Sequence, residues 1–424
     1  MALLSFLILI SFFQPSFFSR PLLVVPLVLF LAFLPFVSLE ARSSLLLFSF
    51  SFLLISSSIG SSVSSYALPS ISAIEGVASS DTQKGKGHYG FRLDAYECMD
   101  ERGARSDIKG VYYIASDLSD VLYGDRVRVH GSFSEGLFAA SSIEILERGS
   151  PLRMRYIAHI RRIFLPLGDA GTLSLMLLAS LSSDGSFLLK RKASDAGLSH
   201  VLALSGMHLS ALTLLLGPVR KAFPGLPGRA VIASFLILFA FSAGSRPSLS
   251  RALLLFLLSP HMAIADATLA SFLIQIALHP YLVADAGMAL SYLAFSGILM
   301  FSEGLFSAID SISPLPEGIS RALSLSISAQ LLTVPVSSSL FSSISLSSIL
   351  TSFPAGAIAE IYLILSIISL FIPPFSHLLA SAYPLVEKAF SFFSDIAYGT
   401  EECYFAMLGL SAIAISYHRI VSTR

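Results

Sequence analysis

Gly197-Leu-Ser-His200-Val-Leu-Ala-Leu-Ser205-Gly206-Met-His208-Leu-Ser-Ala211 sets two histidines and a Ser-Gly pair inside an otherwise apolar run, and no other stretch of the chain is so unusual. On one helix, rising about 1.5 Å per residue, the eight steps from His200 to His208 put the two rings on broadly one side but about 12 Å apart. A single metal ion needs its ligands about 2 Å away, so it cannot take both rings unless the helix breaks. Ser205-Gly206 is the expected place for a break, because Gly tolerates left-handed φ and Ser competes for backbone hydrogen bonds. Polar groups in lipid are costly and face a cavity or a partner. The stretch therefore reads either as a polar path or as a pair of satisfied structural histidines, and the path is the working expectation.

The surrounding composition sets the environment. The chain has 424 residues, 54% hydrophobic and 13% charged, with a mean hydropathy of +0.78; an ordinary soluble domain carries roughly 25% charged residues. The expected fold class is a polytopic α-helical membrane protein. Its 27 basic and 27 acidic residues cancel, so no global electrostatic footprint for nucleic acid exists and any polyanion must be met locally. Cys98 and Cys403 lie in segments of different character and form no metal or redox motif.

Upstream, Ala2 to Phe18, Pro21 to Ser38 and Ser43 to about Val63 are apolar stretches of near-spanning length and are expected to form three membrane helices, the first retained rather than cleaved. The composition then changes: 26 of the 54 charged residues fall between Glu75 and Arg162. Five partly alternating segments, Ile71 to Ser79, Tyr89 to Met99, Gly110 to Ala115, Asp125 to Gly131 and Leu137 to Ile145, predict a small inserted all-β OB-like barrel. Its charged strand Arg126-Val-Arg128-Val-His130 is expected to be a solvated face, since the 26 charges split evenly by sign and stacking aromatics are sparse. Arg153, Arg155, Arg161 and Arg162 form a basic amphipathic run expected at the membrane surface.

The expected organisation is thus N-terminal helices over 1–65, the OB-like domain over 66–150, a linker with a short membrane-associated helix over 151–195, and a helical membrane domain over 196–424. The apolar segments of that last domain are short, including Ile344 to Ala359 and Ile361 to Phe371 on either side of Glu360. Such pieces suggest broken or re-entrant helices. Arg220, Lys221 and Arg229 favour a cytoplasmic side for their loop. Lys190-Arg191-Lys192 is a contact for lipid headgroups or for a phosphate backbone.

Four segments in order resemble the ComEC-type competence protein family, the inner-membrane channel for DNA uptake in transformable bacteria. His200-Val-Leu-Ala-Leu-Ser-Gly-Met-His208 is similar to that family's His-Leu-Leu-Ala-x-Ser-Gly-Leu-His core. Gly244-Ser-Arg-Pro247-Ser248-Leu-Ser-Arg251-Ala252 resembles its Gly-x-Ser-Pro-Ser-x-x-Arg-Ala segment, with Arg246 in place of the first Ser. His279-Pro280 to Asp285-Ala-Gly287 with Leu290-Ser291-Tyr292 resembles Asp-Pro followed by Asp-x-Gly-x-x-Leu-Ser-Phe, and Ala329-Gln330-Leu-Leu-Thr-Val-Pro335 fits Ala-Gln-x-x-Thr-x-Pro. The His-x-His-x-Asp-His cluster of the family's metallo-β-lactamase-like domain does not occur in these 424 residues, which reads as a short form.

The resemblance implies passage of single-stranded DNA across the bacterial inner (plasma) membrane, with an extracytoplasmic barrel. The translocation path it implies runs past His200, Ser205, Gly206, His208, Ser248, Arg251, Asp285 and Gln330. Arg251 in apolar surroundings needs a partner or water, an ion pair with Asp285 and a phosphate contact being equal candidates; Gln330 and Glu360 are expected to bond between helices. No catalytic residue, metal or cofactor is expected, and no Gly-x-x-x-x-Gly-Lys-Ser/Thr loop occurs. The expected partners are single-stranded DNA, membrane lipids and separate DNA-receptor, nuclease and cytoplasmic ATPase or helicase proteins, with a homodimer left open. Two alternatives remain: a small-solute transporter, and an intramembrane serine protease in which Ser205 takes a base from His261, His279 or His377.

Overall fold

The computed structural model describes residues 71–395 apart from 85–87, 117–120, 135–136, 182–185, 245, 280–281, 283–284, 313–314 and 342–347. The three N-terminal stretches and the apolar segment Tyr404 to Ser416 lie outside these residues. The chain divides into two compact units, one built from Ser65–Ala267 with Ser343–Cys403, the other around Thr268–Ser342.

The first unit begins with the barrel: β1 (Ile71–Ala78), β2 (Gln83–Lys84), β3 (Tyr89–Asp100), β4 (Arg105–Ser116), β5 (Arg126–Ser134) and β6 (Leu137–Glu147). The five long strands follow the order β1-β5-β6-β4-β3 and close through β1–β3, with β4 and β6 parallel and the other pairs antiparallel. The expected small barrel is what the chain forms, because alternate residues such as Phe91 and Leu93, or Val127 and Val129, all point into one core. Glycines mark its tightest bends. A Cβ on Gly131 would lie 2.0 Å from the Ala139 carbonyl oxygen, at the point where the β5–β6 register shifts.

Glu75, 5% exposed on β1, explains why the charged strand is no open cationic groove. Its Oε1 accepts from Arg126 at 2.8 Å and from the Tyr96 hydroxyl at 2.6 Å, and its Oε2 accepts from Arg128 at 3.0 Å. Burial pushes the Glu75 carboxyl up, but the hydrogen bonds from Tyr96, Arg126 and Arg128 outweigh it and hold the group below its ordinary 4.5. A carboxyl depressed in the folded state contributes stability that is fully present above the free carboxylate range and is lost as pH falls through the folded value. Glu75→Gln is therefore expected to weaken the barrel at neutral pH by on the order of 1–2 kcal/mol and to shrink its acid sensitivity below 4.5. Limited proteolysis of the barrel strands against pH reads both effects.

The helices of this unit are α1 (Pro151–Phe164), α2 (Asp169–Ala179), α3 (Ser186–Asp195), α4 (Ser199–Leu202), α5 (Gly206–Leu215), α6 (Gly217–Ala222), α7 (Leu226–Ala243), α8 (Pro247–Leu258), α12 (Ser348–Phe371) and α13 (Ser376–Asp395). Residues 151–195 pack into the helical core: Ile157, Ile160 and Phe164 of α1, Leu177 of α2 and Leu189 of α3 share it with Leu209, Leu236 and Leu363. The two segments expected on either side of Glu360 fuse into the single helix α12, which carries Pro354 within its second turn. Two buried hydroxyls lock α12 to α2: Tyr362 donates to the Ala170 carbonyl at 2.8 Å and Ser366 to Ser174 at 2.9 Å.

A buried ion pair joins barrel and helices. Asp81, just before β2, meets Arg153 of α1 at 2.7 Å with both side chains 2% exposed. The Tyr123 backbone N–H donates to Asp81 Oδ1 at 2.9 Å, and the Arg153 guanidinium lies over the Tyr123 ring. Gly244, the C-cap of α7, closes the joint. Its φ of +81° favours glycine, and a Cβ there would lie 3.1 Å from Arg153 Nη2 and 3.3 Å from Asp81 Oδ2.

The second unit comprises α9 (Ile264–Leu278), α10 (Ala286–Ile312) and α11 (Glu317–Phe341), with α9 belonging to it from Thr268 onward. Helices α10 and α11 pack closely because a Cβ on Gly297 would lie 2.2 Å from the Ser328 carbonyl oxygen. Tyr292, fully buried, accepts from Gln275 Nε2 at 2.7 Å and shares a 2.9 Å bond with Ser271. Among the described residues, Leu226–Ala243, Ala286–Ser311 and Ser348–Phe371 are long and apolar enough to cross a membrane, and four shorter apolar helices accompany them.

Candidate functional site

The opening stretch is a broken helix. α4 ends at Leu202, Ala203 and Ser205 are extended, and α5 starts at Gly206. The break falls where it was expected, but for a different reason. Gly206 is not among the residues with positive φ; it is needed because a Cβ there would lie 3.2 Å from both Ala252 Cβ and Arg251 Nη2 of α8. Close approach of a neighbouring helix, not a left-handed turn, selects glycine here.

Breaking a helix leaves backbone groups to be satisfied. The Ser205 backbone N–H donates to His208 Nδ1 at 3.1 Å, and the Ser205 hydroxyl lies 3.1 Å from the same nitrogen. His208 is fully buried. Because a backbone N–H can only donate, Nδ1 is the accepting nitrogen and neutral His208 carries its proton on Nε2. That Nε2 is buried and, among the described residues, meets no hydrogen-bond partner. Ser248, in the first turn of α8, donates to the Leu204 carbonyl at 2.9 Å, capping the unwound residues from outside. Behind the break, Gly356 of α12 leaves room for Met207, whose Sδ would meet a Cβ at 3.0 Å.

Thus the fold brings together Ser205, Gly206, His208, Ser248 and Arg251, from two sequence segments some forty residues apart. His200 lies one turn before the break and is exposed, as are Ala203 and Ser210. Asp285 and Gln330 belong to the other unit. There Asp285, 7% exposed, accepts the Met288 backbone N–H at 2.8 Å and so caps α10; Gln330 is half-buried on α11. Arg251 and Asp285 fall in different units.

The basic triplet on α3 divides by role. Lys192 pairs with Glu387 of α13 at 3.0 Å, Arg191 is exposed and reaches Asp195 at 3.9 Å, and Lys190 is half-buried. Burial, and then the positive charge of Arg246, push the Lys190 ammonium down to about 8. Arg246 is the N-cap of α8, so Lys190 and Arg246 raise the positive potential where α8 begins. Arg246 was not singled out for the path from the sequence, and the available signal was its departure from the Ser of the resembled segment. Gly356 carried no signal at all, since only the packing of α12 gives it a partner. Among the described residues no group of three or more His, Cys, Asp or Glu side chains could hold a metal ion.

No curated protein and no solved structure matches this chain at a significant level. The family model described as Competence protein matches residues 183–418, more than half of the 424 residues, and its span takes in α3 through α13 but not the barrel. The chain belongs to the competence protein family.

Proposed function

We propose that this chain is a DNA-uptake channel of natural transformation, a multi-pass protein of the bacterial inner membrane that passes single-stranded DNA without driving it. Family membership supports a competence and DNA-uptake role in general. The observation that carries the channel reading is the broken helix, with Ser248 and Arg251 of α8 set against Leu204 and Gly206. Unwound backbone at membrane depth is tolerated where it is buried or lines water. Here two helix N-termini, those of α5 and α8, converge on it, and such termini favour anions. Arg251, Arg246 and Lys190 add positive charge near these termini, which suits contact with a phosphate chain.

Helix α7 supports an extracytoplasmic barrel. Its 18 residues span about 27 Å, close to a bilayer core. Arg220, Lys221 and Arg229 mark one end, and Gly244 at the other end abuts the Asp81–Arg153 joint. A cytoplasmic basic loop supports an extracytoplasmic barrel, with the break, bonded to Ser248, within about a turn of that outer end. On this reading a receptor, a nuclease and a cytoplasmic ATPase or helicase act as separate chains.

One observation favours the protease alternative: Ser205 Oγ lies 3.1 Å from a histidine nitrogen. That base comes from the next turn rather than from His261, His279 or His377. However, the single Nδ1 lone pair also takes the Ser205 backbone N–H, and no carboxylate among the described residues orients Nε2, so the pair is better suited to capping a helix than to activating a nucleophile. Labelled-DNA uptake decides between them. With membrane levels checked by blot, Arg251→Ala is expected to lower uptake about tenfold or more, the worth of one charge-assisted contact of about 1.5–3 kcal/mol, with partial recovery in Arg251→Lys. Unchanged uptake in Arg251→Ala would remove the channel assignment of this site.

A further inference from the structure

Helix α1 has two faces. Ile157, Ile160 and Phe164 enter the helical core. On the opposite side Arg155, His159 and Arg162 are exposed, at the i, i+4, i+7 spacing of a single helix face. The first turn holds no acidic residue and the last holds Arg161 and Arg162; no Asp or Glu occurs anywhere in Pro151–Phe164. Neither Arg155 nor Arg162 makes an ion pair with another described residue. At the two ends of this basic surface Leu152 and Leu165 are 59% and 52% exposed.

The joint fixes the level at which this helix begins. Arg153 packs against Gly244, the cap at the end of α7, so α1 starts where a membrane-length helix stops. If α1 ran along the membrane normal, Arg162 would lie about 10 Å deeper than Arg155, exposed to hydrocarbon with no counter-charge. Lying in the surface plane keeps Arg155, His159 and Arg162 among headgroups and lets the two leucines dip toward the acyl chains.

We propose that the exposed face of α1 is a docking surface for anionic lipid headgroups, and that it seats the barrel side of the protein on the bilayer. Charge complementarity selects an anionic partner. The exposed leucines select a bilayer over a nucleic-acid backbone, whose phosphates give an apolar side chain nothing to bury against. This role stands apart from DNA passage, and its test contains no transport step.

The chain contains no tryptophan, so Leu165→Trp gives the full-length protein a single indole. The variant is reconstituted in phosphatidylcholine vesicles with and without phosphatidylglycerol, each containing lipid brominated near the glycerol end of its acyl chains. Quenching is expected in both, about twofold stronger with phosphatidylglycerol, and Arg155→Gln with Arg162→Gln is expected to erase that difference. Quenching that ignores phosphatidylglycerol, or that survives the paired Gln substitutions unchanged, overturns the proposal, as does indole emission that only water-soluble quenchers reach. If a single-stranded oligonucleotide shields the indole while phosphatidylglycerol does not, the face belongs to nucleic acid instead. Leu152→Trp repeats the reading from the other end of the helix, so one poorly folded variant does not decide the outcome.

Discussion

Asp81→Asn is expected to destabilise the protein by about 3–5 kcal/mol, the cost of leaving a sealed charge without its counter-charge. Arg153 and Asp81 are each 2% exposed, and Arg153 Nε and Nη1 are buried with no hydrogen-bond partner among the described residues. The carboxylate is therefore the main compensation the guanidinium has, beside the Tyr123 ring. An amide at this position would keep an acceptor for the Tyr123 N–H but not the charge. Thermal unfolding of the purified full-length chain in detergent, with barrel proteolysis as a second signal, reads the loss. The joint replacement Asp81→Leu with Arg153→Leu should cost less than Asp81→Asn alone, because it leaves no ion stranded. A loss below about 1 kcal/mol for Asp81→Asn would mean that water enters the joint, as it does at surface pairs.

Gly206→Val is the second substitution with a large expected effect, and its target is function. A first Cβ already falls 3.2 Å from Ala252 Cβ and Arg251 Nη2. Arg251 can swing aside, but Ala252 Cβ is fixed to the α8 backbone, so two further methyls must drive α5 and α8 apart. Overpacking of this kind costs about 1–3 kcal/mol, small enough for the protein to persist in the membrane. The Ser248–Leu204 bond, 2.9 Å long, spans the same gap and should be lost. DNA uptake is expected to fall about tenfold or more at unchanged protein level, with Gly206→Ala intermediate and Gly206→Ala with Ala252→Gly recovering most of the loss. Uptake at the parental level in Gly206→Val would show that the α5–α8 contact does not matter to passage.

The barrel was the most legible part of the chain. Period-2 alternation survives in a sheet with one buried face, so its five long strands could be placed from the sequence to within a few residues, apart from β4, which begins earlier than expected. Its β1–β3 closure could not, because only the hydrogen-bond register shows which edges meet. In the helical part hydrophobicity hardly varies around α5 and α7, and boundaries blur for lack of a polar face. Hence Ile344 to Ala359 and Ile361 to Phe371 looked separate although one helix runs through Glu360.

At the site, the position of the break was readable from Ser205-Gly206 alone. The reason for the glycine was not, since Ala252 lies dozens of residues downstream and only packing reveals the approach. Ser248 was identified as part of a polar path, yet the structure gives its hydroxyl a definite partner in the Leu204 carbonyl. The Asp81–Arg153 joint left no trace in the sequence, because a buried charge pair between a loop and a helix has no periodicity to betray it.

Gly244 touches both the joint and the route to the break. On one side it fills the narrow space that Arg153 and Asp81 leave; four residues later Ser248 grips the Leu204 carbonyl. The barrel joint and the broken helix are thus gripped at two positions only four residues apart in sequence, Gly244 and Ser248. Mechanically the barrel is a handle on the broken helix, not a bead tethered beside it.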